Sequence, residues 1–343
     1  MAPGNRKAPA RAASSESSYS LMEFMKDFPD DETCLRWLWT TRYAPDGTHA
    51  LCPRCDEERA FQRYETKQQR QSWTCTTCSL HIHPTAGTIF HKSSTALHLW
   101  FYAMYLMTST RCGISAKQLE RELGVTYKTA WRMFTLIRNE LMTQDDDAPL
   151  SGVVEMDEMY VGGKPRLADK REFAKGPGTK QSAAIKWSHE KKTPVFGMVE
   201  QNRKQWIDGD PKPTVTRHGK IVAKVVPKNP QKAIVGHIDN HVAPETVVYT
   251  DDARIYDRLS RDGWDHSTIN HSEGVYVSGD IHTQTIEGFW SLVKRGIDGT
   301  HHAVSPKWLQ GYLNEYAWRY NHRDDGRAMF LTLLIRSAVT PVA

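Results

Sequence analysis

The sequence lacks any apolar run long enough to cross a membrane. Its most apolar stretch, residues 97–107, is short and contains His98, whereas a membrane-spanning helix needs about 20 consecutive apolar residues. The first 20 residues are polar and lack the apolar core of a secretory signal. We therefore expect a cytoplasmic protein without a membrane partner.

Cysteine is also scarce, with six among 343 residues. Cytoplasmic cysteines serve as thiols or metal ligands more often than as disulfides. Four of them form two closely spaced pairs, Cys52-Pro-Arg-Cys55 and Cys75-Thr-Thr-Cys78, with 19 residues between the pairs. Four thiolates complete a tetrahedral zinc site and leave no coordination position open. The spacing therefore predicts a zinc ribbon with a structural ion.

The net charge of +5 is modest and does not by itself indicate a nucleic-acid partner. Basic residues are nevertheless concentrated in one segment, since residues 164–192 contain nine Lys and Arg against three acids. This segment is too polar to form core. It predicts a basic loop that begins at Lys164 and contacts the DNA backbone, with a merely solubilising insertion as the alternative.

Composition and hydrophobic pattern divide the chain into four parts. Residues 1–20, rich in Ala, Ser and Pro, predict a disordered tail. Residues 21–95 predict an N-terminal helix and the zinc ribbon, and residues 96–142 predict a helix-turn-helix region. From about residue 150 to residue 340 the pattern of strands and helices predicts an α/β catalytic domain, which contains the basic insertion.

The helix-turn-helix prediction depends on residues 115–141. Residues 115–123 carry apolar side chains on one face, Gly124 and Val125 form a turn, and Thr126 caps a second helix over residues 127–141. In DNA-binding proteins the second helix of this motif enters the major groove. The candidate DNA contacts, on or near its exposed side, are Lys128, Arg132 and Arg138. An ordinary helical hairpin has the same pattern, which leaves both interpretations open.

The strand pattern that begins near residue 150 predicts a sheet. Its early strands are residues 153–161, 194–201 and 220–226. Short turns favour antiparallel pairing of these strands, whereas residues 247–250 follow a helix and should pair parallel, next to the first strand. We therefore expect a mixed sheet covered by helices, with Asp157 and Asp251 at one edge.

Three carboxylates in this region form a candidate metal site. Asp157 lies within the first strand, Asp251 directly continues residues 247–250, and Glu287 lies on a predicted helix with 35 residues between it and Asp251. Such a set can hold two divalent cations that stabilise the attacking and leaving oxygens of a phosphoryl displacement, and Mg²⁺ suits carboxylate ligands. Glu158 could replace Asp157 as a ligand. Glu287 could instead be a rim residue paired with a nearby Lys or Arg.

Protein nucleophiles and a histidine-based zinc site are not indicated. The region has no Ser/His or Cys/His arrangement and no HExxH motif. Its histidines are expected to contact phosphate or to fill polar space, with His302 expected to approach the substrate most closely.

Many motifs, in the same order, are similar to those of one family. Over nearly all of residues 21–336 the chain resembles bacterial insertion-sequence transposases of the zinc-ribbon, RNase H-like DDE group, the ISXO-like transposases. The matching segments are CPRC, CTTC, GTIFHKSSTALHLWF, SAKQLERELGVTYKTAW, EMDEMYVGGK, VVYTDDARIY, INHSEGVYV, HTQTIEGFWSLVKRGIDGTHH and YAWRYNHR.

The resemblance implies an α/β fold with an RNase H-like mixed sheet, preceded by the zinc ribbon and the helix-turn-helix. It implies Asp157, Asp251 and Glu287 as a catalytic triad for two Mg²⁺ ions, which Mn²⁺ can replace, in addition to the structural Zn²⁺. The expected reaction is hydrolysis at an element end, followed by attack of the freed 3′-hydroxyl on target DNA. The DNA contacts expected beside the site are Lys164, Lys294, Arg295 and His302.

The implied partners are the terminal inverted repeats and target DNA, bound by a homodimer or larger assembly associated with the nucleoid. Two features depart from the family. Asp252 stands where the family has glycine, which makes it an alternative second ligand, and residues 202–219 are longer than the family's turn. Two other functions remain open: a DNA-binding regulator with a vestigial catalytic domain, and a structure-specific nuclease.

Overall fold

The structure, a computed structural model, describes residues 19–65, 71–110, 112–143, 148–163, 190–205, 213–228, 230–251, 253–269, 277–278, 281–325 and 328–341. Lys164, Asp252, nearly all of the predicted tail and nearly all of the basic insertion lie outside these residues. The chain divides into two compact units. The first comprises Met1–Arg111, Arg121–Val125 and Arg323–Ala343, and the second comprises Cys112–Glu120 and Thr126–His322.

Helices and strands both contribute to the fold, which is mixed α/β as predicted. The described α-helices are α1 (Leu21–Asp27), α2 (Asp31–Arg42), α3 (Leu97–Ser109), α4 (Ala116–Leu123), α5 (Tyr127–Leu136), α6 (Gln231–His241), α7 (Gln284–Gly296), α8 (Leu309–Asn321) and α9 (Met329–Val339). None of these helices is long and apolar enough to span a bilayer.

The described strands form four sheets. They are β1 (His49–Cys52), β2 (Glu57–Glu65), β3 (Gln71–Cys75), β4 (His81–Ile82), β5 (Val153–Val161), β6 (Thr193–Glu200), β7 (Arg203–Gln205), β8 (Thr214–Arg217), β9 (Ile221–Val225), β10 (Val247–Asp251), β11 (Asp265–Ile269), β12 (Val277–Ser278) and β13 (Ile281–His282). Strands β1 to β4 form one antiparallel sheet in sequence order, and β7 pairs with β8 in the segment whose role the sequence left open.

The first unit is built on aromatic packing between short helices. Asp30 caps α2, because its carboxylate accepts the Thr33 N–H at 2.8 Å. Phe28 of the preceding loop lies edge-to-face against Phe101 of α3 and Phe330 of α9, with ring centroids 5.2 and 6.0 Å away. The catalytic domain is predicted to extend to residue 340, and α9 packs on α2 and α3 in the first unit.

The second unit contains a five-stranded sheet in the order β11-β10-β5-β6-β9. Strand β5 pairs antiparallel with β6, and β6 pairs antiparallel with β9. Strand β10 pairs parallel with both β5 and β11, with Val247 opposite Val153. The predicted parallel pairing of residues 247–250 next to the first strand is therefore confirmed.

Alternating side chains of β5 point to opposite faces of the sheet, as in any strand. Val154 and Met156 pack with Ile238 of α6 on one face. Met159 packs with Trp290 of α7 on the other face, in the cluster that also contains residues of α8. The polar residues of β5 follow the same alternation, so Glu155 and Asp157 lie on the α7 face and Glu158 lies on the α6 face.

The segment predicted as helix-turn-helix contains two helices, α4 and α5, with Gly124 between them at a φ of +62°. A left-handed conformation costs little only for glycine, which explains this residue at the turn. Thr126 caps α5 through the Thr129 N–H. The second helix was predicted to continue to residue 141, and the structure instead has a π-helical segment over Ile137–Leu141.

Candidate functional site

The four paired cysteines of the first unit converge. The Sγ atoms of Cys52, Cys55, Cys75 and Cys78 all lie within 4.8 Å of one another, and those of Cys52 and Cys78 are 3.5 Å apart. Burial opposes ionisation of Cys75, but the N–H groups of Cys78 and Thr77 outweigh it and lower the pKa of this thiol to about 6. Four close sulfurs with a thiol that ionises readily fit a Zn²⁺ ion.

Asp157 occupies the centre of β5, on the face covered by α7. The Trp290 indole Nε1–H donates to its Oδ2 at 3.0 Å. Burial, together with the negative charges of Asp251 and Glu287, raises the pKa of Asp157 to about 7. Burial is the largest cause of this shift, Asp251 adds to it, and Glu287 contributes least.

Asp251 and Glu287 reach this place from two different elements. Asp251 is the last residue of β10 and accepts the Ala253 N–H at 3.1 Å. Glu287 lies in the first turn of α7, is exposed, and accepts the Thr283 hydroxyl at 3.3 Å. The parallel pairing of β10 with β5 places Asp251, at the end of β10, level with the middle of β5, and α7 packs on the face of β5 that carries Asp157.

The three carboxylates fit divalent cations, although they do not form a closed ligand cage. Among the described residues, three or more donor atoms lie close enough to hold an ion without rearrangement only in the cysteine cluster. The carboxylates repel one another, as the raised pKa of Asp157 indicates, and bound cations would remove that repulsion. Mg²⁺ commonly uses only one or two carboxylates and completes its shell with water and phosphate oxygens.

Glu158, the alternative ligand, lies on the opposite face of β5. The Tyr256 hydroxyl donates a hydrogen bond to it. Burial is the main cause that raises the pKa of Glu158 to about 8, with contributions from Asp157 and Asp251. Glu158 directly follows Asp157 on β5, but it is engaged by Tyr256. The other alternative, Asp252, lies outside the described residues.

Sequence reasoning missed the role of Glu155. This side chain is fully buried and accepts the backbone N–H groups of Thr285 and Ile286 in α7, at 2.8 and 3.0 Å. No signal in the sequence pointed to this role, because Thr is itself a common N-cap residue, and only the structure shows that Thr283 makes no capping hydrogen bond through its side chain. A helix that begins without a local cap needs an acceptor from elsewhere in the fold.

The predicted DNA contacts fall into two groups. In the first group are predicted contacts whose side chains are exposed to solvent: Lys128 and Arg132 of α5, Lys294 and Arg295 of α7, and His302. Arg138 is only 1% exposed and forms a buried ion pair with Glu315. The prediction that Arg138 lies on or near the exposed side of its helix is therefore wrong, because a carboxylate distant in sequence draws it into the core.

Comparison with known proteins identifies the family of this chain. The ISXO2-like transposase domain matches residues 149–321. The chain is 31% identical over 288 residues to an uncharacterized protein in transposable element ISH50 of Halobacterium salinarum, an alignment that covers 82% of this chain and 90% of that protein. It is also 30% identical over 105 residues to an uncharacterized transposase-like protein of Haemophilus influenzae, covering 31% of this chain and 84% of that protein. The chain therefore belongs to the ISXO2-like family of insertion-sequence transposases.

Proposed function

We propose that this transposase binds the terminal inverted repeats of its insertion sequence and catalyses metal-dependent phosphodiester hydrolysis and strand transfer. The observation that carries the proposal is the placement of three acids: Asp157 lies in the middle of β5, Asp251 ends its parallel neighbour β10, and Glu287 lies in the first turn of α7, whose Trp290 donates to Asp157. Three acids from a central strand, its parallel neighbour and a covering helix agree with an RNase H-like catalytic domain, which we propose for the second unit.

In this proposal Asp157, Asp251 and Glu287 would together hold two Mg²⁺ ions. When bound, such ions lower the pKa of a water nucleophile and stabilise the attacking and leaving oxygens. Asp157 is oriented by the Trp290 indole, and Asp251 by the Ala253 N–H. The exposed side of Glu287 leaves room for the scissile phosphate. Water attacks first, and the freed 3′-hydroxyl then attacks target DNA, with no covalent protein intermediate.

DNA is proposed to be held by the parts that precede the catalytic domain, together with its basic rim. The zinc ribbon within residues 21–95 and the helix-turn-helix within residues 96–142 would grip the terminal repeats. The exposed cations proposed to contact phosphates are Lys128, Arg132, Lys294 and Arg295, with His302 near the substrate. Pairing of two ends requires at least a homodimer in this mechanism, and the reaction would take place at the nucleoid.

Cleavage of labelled DNA that carries the native ends, in Mg²⁺ or Mn²⁺, tests the proposal. The unmodified protein should cut at the element end and join that end to target DNA. Glu287→Gln should still bind the ends but lose about 10³-fold or more in cleavage rate, as removal of a group essential to catalysis does. The matched control is Glu245→Gln, an exposed acid that precedes β10 at the opposite end of the strand from Asp251.

Each other function gives a distinct result. A regulator with a vestigial catalytic domain would bind the ends and cut nothing under any metal. A structure-specific nuclease would cut branched DNA of unrelated sequence and yield no joined product. Unchanged cleavage by Glu287→Gln would contradict the assignment of this residue.

A further inference from the structure

Glu155 is a buried carboxylate that lies two residues before Asp157 on the same face of β5. Its exposed fraction is 0%. A carboxylate without partners is costly in such a place, so its hydrogen bonds identify what it does.

Four donors converge on the two oxygens of this side chain. Oε2 accepts the N–H groups of Thr285 and Ile286, at 2.8 and 3.0 Å. Oε1 accepts the Thr285 hydroxyl at 2.6 Å and the Gln201 side-chain amide at 2.9 Å. His282 Nδ1 also lies 3.1 Å from Oε1, without the geometry of a hydrogen bond. Three of the four hydrogen bonds come from the first turn of α7.

Glu155 therefore supplies the cap that α7 lacks locally. The first backbone N–H groups of a helix have no partner within the helix, and Thr283 offers none through its side chain. A carboxylate at this end also interacts favourably with the helix dipole. α7 has 13 residues, so its amino-terminal dipole is well developed.

The same turn carries Glu287, two residues after Thr285. β5 thus fixes both sides of the carboxylate cluster: it bears Asp157, and through Glu155 it holds the turn that presents Glu287. A second hydrogen bond between α7 and β5 lies one turn further along the helix, where the Trp290 indole donates to Asp157. Both oxygens of Glu155 are occupied by donors, which makes it a poor candidate for a metal ligand itself.

We propose that Glu155 is a positioning residue, which clamps the first turn of α7 to β5 so that Glu287 reaches the metal ions bound by Asp157 and Asp251. The inference rests on the proposed function for its consequence in catalysis. A merely structural role would be the alternative, in which Glu155 stabilises the unit as any well-bonded buried acid does.

Glu200 offers a matched control for that alternative. It is 1% exposed and lies on β6 next to Val154, on the α6 face of the sheet. Its oxygens bond the Ser151 hydroxyl at 3.2 Å and the Arg217 guanidinium at 3.3 Å, and none of these groups belongs to α7. Substitution of Glu200 by Gln therefore removes a buried carboxylate of the same sheet and leaves the helix cap intact.

The experiment compares Glu155→Gln with Glu200→Gln. Glutamine retains one acceptor oxygen and turns an NH₂ group towards donors, so Glu155→Gln should release the first turn of α7. We expect the Mn²⁺ concentration for half-maximal cleavage of end DNA to rise by about 10- to 100-fold, the usual effect of losing support behind metal ligands. We also expect kcat to fall while KM for DNA stays constant, and hydrogen exchange at the Thr285 and Ile286 amides to accelerate. Glu200→Gln should change none of these.

Equal Mn²⁺ dependence in Glu155→Gln and the unmodified protein would overturn the inference, as would equal effects of the two variants. If the unmodified protein does not cleave, the proposed function fails. The inference is then decided by Mn²⁺ binding measured calorimetrically, which Glu155→Gln should weaken and Glu200→Gln should not. Should Glu155→Gln fail to fold, Thr285→Ala removes one donor to Oε1 and keeps the carboxylate. It should raise the Mn²⁺ requirement in the same direction, and an unchanged requirement would contradict the clamp.

Discussion

Arg138 and Glu315 form a buried ion pair, although 177 positions separate them in the sequence. The Arg138 Nε–H donates to Glu315 Oε2 at 2.6 Å, and the side chains are 2% and 0% exposed. The guanidinium also lies over the rings of Phe134 and Tyr312, at 3.5 and 3.9 Å from their centroids. The pair joins the π-helical segment after α5 to α8 within the second unit.

Removing one partner of this pair should destabilise the second unit strongly. Arg138→Met leaves the Glu315 carboxylate buried without its cation, which costs about 3–5 kcal/mol. Replacing both residues, as Arg138→Met with Glu315→Leu, should recover most of that loss, because two apolar side chains need no partner. Denaturant unfolding of the two single variants and the double variant measures the coupling. A single variant as stable as the parent protein would contradict a buried pair.

Lys128 should behave in the opposite way, because it is exposed on α5. Lys128→Ala should leave the free energy of unfolding nearly unchanged and weaken binding to end DNA. If it contacts one phosphate, the slope of log K against log salt should fall by about 1. Salt titrations of DNA binding by fluorescence anisotropy measure this slope. An unchanged slope would place Lys128 outside the DNA interface.

Asp157 should lower the stability of the metal-free protein, although cleavage should require it. Burial and the charges of Asp251 and Glu287 raise its pKa to about 7, so above neutral pH the ionised side chain destabilises the metal-free fold. Asp157→Asn keeps an oxygen that can accept the Trp290 indole and should raise metal-free stability by about 1–4 kcal/mol. It should also abolish cleavage and the increase in Tm that Mg²⁺ gives the parent protein. Calorimetry with and without Mg²⁺ tests both parts, and a metal-induced shift that persists in the variant would count against Asp157 as a ligand.

Gly197 should tolerate no side chain. It pairs with Asp157 across β5 and β6, and an added Cβ would lie 2.5 Å from Cζ2 of Trp290. Gly197→Ala should therefore displace the indole that orients Asp157, with a loss of about 1–3 kcal/mol from overpacking and a lower cleavage rate. The control is Gly236→Ala in α6, where the added Cβ meets open space and should stabilise the helix by up to about 1 kcal/mol. Urea unfolding and cleavage assays of both variants provide the comparison.

Zinc removal should affect the first unit selectively. A zinc ion held by the four clustered sulfurs would cross-link the turns at the two ends of this sheet, so chelation should loosen β1 to β4. Circular dichroism and zinc release measured with a chromogenic chelator follow this change. Cys75→Ser should bind end DNA weakly. If it retained the zinc content of the parent protein, the ligand assignment would be wrong.

Local patterns predicted the sheet well, because the rules for strand connections leave few options. The parallel pairing of β10 follows from the helix before residue 247, whereas β5, β6 and β9 are antiparallel although long segments join them. The convergence of the two CxxC pairs was also predictable from local patterns. Each pair lies on one tight turn, and two such pairs at this spacing are typical of a single metal site. The topology of the sheet placed Asp251, at the end of β10, level with the middle of β5.

Partners distant in sequence could not be predicted in this way. Glu155 bonds residues about 130 positions away, and only the packing of α7 on the sheet reveals which acid caps it. Arg138 appeared exposed because an arginine on an amphipathic helix usually is, while its partner lies on α8 and the helix becomes π-helical there. Burial of charge depends on such tertiary pairs.

We propose that Asp157, Asp251 and Glu287 share two metal ions beside a scissile phosphate. Anomalous diffraction from crystals grown with Mn²⁺ and end DNA would locate these ions. We expect two Mn²⁺ peaks between Asp157 and Asp251, one of them ligated by Glu287. A complex with no peak at these carboxylates, or with Mn²⁺ bound only elsewhere, would contradict the proposal.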